Sequence, residues 1–166
     1  MDDKKLLFIY NPRAGKGQIR NNLLDIIDTF VKAGYIVTAR PTQYAGEAVE
    51  LAADRTAKYD LVVCSGGDGT LDEVVTGIMK SVRRRPIGYI PAGSTNDFAQ
   101  SLNIPKNMAE AAKSQSAAEC LPAMSVPLTK KPLFILRPSD FLQRCPMKPV
   151  RMSKMCWGIW RICWRA

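Results

Sequence analysis

Residues 65–77 (SGGDGTLDEVVTG) join a short apolar run directly to an amphipathic one, which constrains the chain to a strand, a glycine-rich turn and a helix in succession. The run before it, Asp60 to Cys64 (DLVVC), has the length and β-branched content of a buried strand. After it, Leu71, Val74, Val75, Ile78 and Met79 fall at i, i+3, i+4, i+7 and i+8, which predicts a helix over 70–81 with one buried stripe. Gly66, Gly67 and Gly69 carry no Cβ, so backbone there can approach a polyphosphate and adopt positive φ without strain. The helix would point its amino end at the turn, where free N–H groups favour an anion by roughly 0.3–1 kcal/mol each.

Asp68 complicates a plain anion cradle. A carboxylate facing phosphate is repelled unless a divalent cation or a proton transfer lies between them, so metal binding or general-base work is the functional reading. The competing one is that Asp68 shapes the turn and caps the helix. The loop is neither of two common nucleotide motifs. Thr70 follows Gly69 with no Gly-Lys-Ser or Gly-Lys-Thr, and Asp72 stands where a dinucleotide G-x-G-x-x-G needs its last glycine.

Two further segments repeat the arrangement. Lys5 to Tyr10 (KLLFIY) runs into Asn11-Pro12-Arg13-Ala14-Gly15-Lys16-Gly17, after which Ile19, Leu23, Ile26, Ile27 and Phe30 keep a helical period. Arg13 and Lys16 suit phosphate oxygens as a fork and a point charge, the alternative being a solvated basic turn. Ile87 to Ile90 (IGYI) leads into Pro91-Ala92-Gly93-Ser94-Thr95-Asn96-Asp97-Phe98. There Ser94 offers a hydroxyl, and Asn96 and Asp97 are loop braces or part of a metal–water network. With Tyr35 to Arg40 (YIVTAR) as a fourth strand and helices near 18–33 and 45–58, the order is a βαβ series with parallel pairing and right-handed crossovers. In such open sheets ligands collect outside the carboxyl ends of the strands, so the polar loops define one crevice, which Thr42 can also reach.

In this order, NPRAGKG, SGGDGTLDEVVTG and PAGSTNDFA resemble the amino-terminal domain of the diacylglycerol kinase catalytic family, which includes bacterial soluble lipid kinases and sphingosine and ceramide kinases. More distantly, GGDGT is similar to NAD kinase. The resemblance covers residues 5–121. It implies a Rossmann-like three-layer α/β/α fold with a mostly parallel sheet, and transfer of a phosphoryl group from ATP to diacylglycerol or a similar lipid hydroxyl. It also implies ATP contacts at Asn11, Pro12, Arg13, Ala14, Gly15, Thr42, Gly66, Gly67, Asp68, Gly69, Thr70, Leu71, Asp72 and Ser94. Asp68 and Asp97 would belong to the acid and magnesium (Mg2+) network, with Asp68 the candidate catalytic acid. Ser94 stands where the family usually has threonine, which keeps the hydroxyl. The family's second, β-rich domain, with its lipid pocket and acidic catalytic residue, has no counterpart in the sequence, so nucleotide binding with little turnover is the expectation.

Charge divides the chain in two. Residues 1–121 hold 15 Lys and Arg against 14 Asp and Glu, whereas residues 122–166 hold 9 against 1. Of the net charge of +9, the tail therefore carries +8, and it also holds all 3 tryptophans. Trp157, Trp160 and Trp164, with Arg161 and Arg165 alongside, suit a basic amphipathic segment on an anionic membrane. They equally suit an unselected peptide, because text read one base out of register from this tail resembles the family's continuation. A frameshift near Cys120 to Pro122 is the expectation. Met1-Asp2-Asp3 is acidic where a signal peptide needs a basic start, and no apolar run reaches the roughly 20 residues of a membrane span, which points to the cytoplasm. The 5 cysteines lack metal-ligand spacing or a disulfide pattern, and there is no histidine. Three readings stay open: a truncated lipid kinase nucleotide domain, for which peripheral membrane contact is an open possibility; a non-catalytic nucleotide-binding or membrane-associated module; and, last, a nucleic-acid binder. Nucleic acid is not expected as a partner, since the body has no basic face with stacking aromatics. A homodimer is left open.

Overall fold

The computed structural model describes residues 3–117. The tail 122–166, its tryptophans and the proposed change of reading frame lie outside the described residues. Four strands form one parallel sheet: β1 (Lys4–Tyr10), β2 (Tyr35–Pro41), β3 (Leu61–Gly66) and β4 (Ile87–Pro91), in the order β2-β1-β3-β4. The helices are α1 (Ile19–Lys32), α2 (Glu47–Arg55), α3 (Asp68–Lys80), α4 (Asp97–Ser101) and α5 (Met108–Ala117). Short 3-10 turns occupy Ala14–Gly17 and Thr56–Lys58.

Strand order sets the layers. The chain leaves β1 for β2 in one direction and returns past β1 to β3 and β4 in the other, so right-handed crossovers put α1 on one face and α2 and α3 on the opposite face. The packing agrees: α1 lies against α5, and α2 against α3. Covering both faces removes the need for polar alternation, and β3 is buried at every position and β1 from Leu6 to Ile9. The α1 face is filled by Ile19, Ile26 and Phe30, and the other by Ala48, Leu51, Leu71, Val74 and Ile78. Gly77 lets the second pair close up, because a Cβ there would fall 2.6 Å from that of Ala52. The result is a three-layer α/β/α fold, as the sequence implied.

The expected elements are all present, with shifted ends. β3 runs two residues further than expected, to Gly66, and α3 begins at Asp68 rather than 70, so the glycine turn shrinks to little more than Gly67. The segment 45–58 divides into α2 and a 3-10 turn. Helices α4 and α5 were not expected.

Candidate functional site

Order reversal between β1 and β3 opens a crevice at their carboxyl ends, and the chain leaving each strand stays paired across it. Asn11 N–H donates to the Ser65 carbonyl at 2.9 Å, Thr42 N–H to Tyr10 at 2.9 Å, and Ala92 N–H to Gly66 at 2.8 Å. The three polar loops are thereby anchored side by side. Asn11 then folds its own loop: its Oδ1 accepts the Arg13 N–H at 2.9 Å, the short-range bond that favours Asn in turns. Its amide reaches Thr70 Oγ1 on α3 at 3.5 Å. Gly15 has φ of +54°, and a Cβ there would overlap the Ala92 carbonyl oxygen, so only glycine lets the first and third loops touch.

The glycines of SGGDG act differently from the expectation. None of Gly66, Gly67 and Gly69 has positive φ. β3 simply runs into α3 through an extended Gly67 (φ −84°, ψ −179°), and close approach is what requires Gly66 and, on the third loop, Gly93. A Cβ on Gly66 would lie 2.6 Å from the Thr70 side chain, and one on Gly93 would lie 2.6 Å from Gly67 Cα. Gly69 differs: exposed in the first turn of α3, its Cβ would meet no atom within 4 Å. Packing within the described residues does not call for glycine there. No side chain caps α3, so the N–H groups of Asp68, Gly69 and Thr70 lack intrahelical acceptors and point out of the helix end.

Asp68 is the second correction. It does not cap its own helix; its Oδ2 accepts the Asp97 N–H at 3.1 Å and its Oδ1 the Phe98 N–H at 3.4 Å, at the start of α4. The carboxylate thus ties the second loop to the third. Asn96, in left-handed conformation at φ +50°, is a brace as one reading had it: its Oδ1 accepts the Gly93 N–H at 2.9 Å and its amide donates to the Gly93 carbonyl at 2.6 Å. Beneath them the Tyr89 hydroxyl donates to the Gly66 carbonyl at 3.1 Å. Burial, then the nearby Cys64 and Asp68, push this hydroxyl well above its ordinary range, so it stays a donor. Burial, aided by Glu73, does the same for the Cys64 thiol, which is fully buried.

Between these loops and the segment 42–45 lies an open cleft of about 440 Å³, within the size range of small-molecule sites. Of the expected contact residues, Asn11, Arg13, Ala14, Thr42, Gly67, Gly69 and Thr70 line it. Pro12, Gly15, Gly66 and Asp68 build the surrounding loops, whereas Lys16, Ser94 and Asp97 are exposed outside the lining and Asp72 also lies outside it. Leu71 belongs to the core at 2 % exposure; its N–H closes on the Gly67 carbonyl at 3.1 Å. The lining adds Gln43, Tyr44, Ala45, Glu73 and Gly93, which the sequence reading missed. Glu73 was within reach, since a helix that presents Gly69 and Thr70 presents i+3 and i+4 beside them. Among the described lining residues Arg13 is the cation and Glu73 the acid. Helix-end amides, a guanidinium and two threonines therefore share one cleft with a single carboxylate among the described lining residues.

Comparison with known proteins agrees with this geometry. The diacylglycerol kinase catalytic domain family matches residues 5–125. A diacylglycerol kinase of Bacillus subtilis (strain 168) is 38% identical over 104 residues, covering 62% of this chain and 34% of that protein. One from Staphylococcus aureus (strain MRSA252) is 42% identical over 107 residues, covering 63% and 34%. The chain thus spans about a third of the length of the curated relatives it matches. A crystal structure of a diacylglycerol kinase from Bacillus anthracis str. Sterne superposes with a TM-score of 0.64 at 34% identity, covering 70% of this chain and 40% of that one.

Proposed function

The chain belongs to the diacylglycerol kinase catalytic domain family, and from that premise we propose that residues 3–117 bind the triphosphate of ATP for phosphoryl transfer to a lipid hydroxyl, giving phosphatidic acid where the lipid is diacylglycerol. The observation that carries this reading is the convergence of the uncapped α3 amino end, Arg13 and Asn11 on one cleft at the sheet's switch point. Gly69 supports it, because a glycine that neither packing nor a positive φ requires stands where a phosphate oxygen would approach the α3 amides.

In this reading the Gly67 to Thr70 backbone and Arg13 hold phosphate oxygens, while Asn11 and Thr42 fix the path of their loops. The residues also suit magnesium. The described residues contain no group of three or more His, Cys, Asp or Glu placed to hold a metal ion, and magnesium commonly uses one or two carboxylates, water and the phosphates themselves. Asp68 and Asp97 are the acids proposed to hold it; when bound it neutralises phosphate charge. Both Asp68 oxygens keep a free lone pair after accepting their amide protons. Its hydrogen bonds to Asp97 and Phe98 also make that carboxylate a positioning group between the second and third loops. By family resemblance the acid that takes the lipid proton, and the lipid pocket, belong to the second domain.

The proposed organisation is a nucleotide unit over 1–121 followed by the basic tail. No helix among the described residues is long and apolar enough to cross a membrane; the proposal places the protein in the cytoplasm, meeting its lipid by peripheral contact. Titrating ATP into the purified chain with and without magnesium tests the binding reading, and saturable, magnesium-dependent binding is expected. Joining residues 1–121 to the family continuation and assaying lipid phosphorylation tests the acceptor. Phosphorylation of NAD by that protein instead would overturn the lipid assignment, and sequencing the coding DNA decides the origin of the tail.

A further inference from the structure

Two parts of the cleft lining differ in chemistry. One is the polar floor at the carboxyl ends of β1 and β3, made by Asn11, Arg13 and the α3 amino end. The other is walled by the segment after β2, where Tyr44 is the aromatic residue among the described lining. The residue is 56% exposed. It is also held: the phenol oxygen donates to Glu50 Oε2 on α2 at 2.8 Å. That segment is itself fastened, since Gln43 N–H donates to the Glu47 carboxylate at 2.5 Å and Thr42 N–H to the Tyr10 carbonyl at 2.9 Å.

A half-exposed aromatic residue that lines the cleft and is tied at its hydroxyl suits a stacking platform, because part of the ordering that binding requires is already supplied by the Glu50 bond. We propose that Tyr44 is the surface on which the nucleobase stacks, with Glu50 as the positioning residue that holds the ring. The inference rests on the nucleotide reading above and adds to it the wall that distinguishes a nucleotide from a bare polyphosphate. Stacking is tolerant of base identity, since every base has a π face. The platform therefore favours nucleotides over inorganic triphosphate without choosing strongly between purines.

The test compares ATP, GTP and inorganic tripolyphosphate, each with magnesium, by calorimetry on the full 166-residue chain and its variants. Tyr44→Ala is expected to weaken ATP and GTP about tenfold and to leave tripolyphosphate unchanged, which also shows that the variant is folded. Glu50→Ala frees the ring and costs roughly threefold for ATP, and Tyr44→Phe, which loses the same anchor, should match it. ATP affinity unchanged in Tyr44→Ala overturns the inference, as does an equal loss for ATP and tripolyphosphate. Wild-type chain that binds tripolyphosphate as tightly as ATP overturns it while sparing the phosphate cradle; binding of neither ligand sinks both.

Discussion

Replacing Gly69 by alanine should stabilise the protein and damage its ligand site. The residue is exposed in the first turn of α3, its φ is not positive, and a Cβ would meet no atom within 4 Å. The fold therefore has no steric objection to a methyl group. Alanine recovers the backbone entropy that glycine loses in a helix, about 0.5–1 kcal/mol in an interior and about 0.5 kcal/mol at a first turn. For a domain of this size that is roughly 2–4 °C in Tm. The methyl group would stand beside the Gly69 amide, where a phosphate oxygen is proposed to sit. Losing one charge-assisted hydrogen bond costs about 1.5–3 kcal/mol, or roughly ten- to a hundredfold in affinity. Thermal unfolding without ligand and an ATP titration of the same preparation give both numbers. A Gly69→Ala protein that binds ATP like the wild type would refute the placement of the phosphates, and one that melts lower would refute the packing argument.

Asp68→Asn should lower stability by about 1 kcal/mol in chemical denaturation, because one of two carboxylate acceptors at the start of α4 becomes an amide donor; unchanged stability would mean the bonds to Asp97 and Phe98 do not hold that loop. Gly93→Ala should cost about 1–3 kcal/mol by overpacking, since the new Cβ would lie 2.6 Å from Gly67 Cα and 2.8 Å from Asn96 Oδ1. ATP binding should fall with it. Tyr89 and Cys64 give a pH signature. Their folded values are raised above ordinary values of 10.0 and 9.0, so their contribution is whole below those values and is lost as pH climbs toward the folded ones. Urea melts should show level stability up to about pH 8.5 and a fall of up to about 1.4 kcal/mol per pH unit for each group above its ordinary value. Tyr89→Phe should make that fall shallower; an identical slope would remove Tyr89 from the account.

The parallel sheet was legible because buried strands written as KLLFIY, DLVVC and IGYI alternate with helical periods, and little else fits that order. The convergence of three loops followed from the sheet alone. What could not be read was direction in the short range. Asp68 lies at a helix start, and only the placement of α4 shows that its carboxylate turns to a different helix. Glycine identity signals either backbone freedom or close contact, and Gly66 and Gly93 prove to be the second kind while Gly15 is both. Helix α5, MAEAAKSQSA, has few apolar residues to set a period, so packing on α1 and β4 rather than pattern makes it a helix. Tyr44 gave no signal because a lone tyrosine in a polar turn resembles any other, and its contact with Glu50 depends on where α2 begins.

The central claim is that main-chain amides at the start of α3 grip phosphate oxygens. Amide spectra of the 15N-labelled chain, recorded with and without magnesium tripolyphosphate, test it without any contribution from base or lipid. The largest shifts should fall on the N–H groups of Gly67, Asp68, Gly69 and Thr70, with Arg13 and Ala14 next. Saturable binding that leaves those four amides unmoved and perturbs another surface would contradict the account.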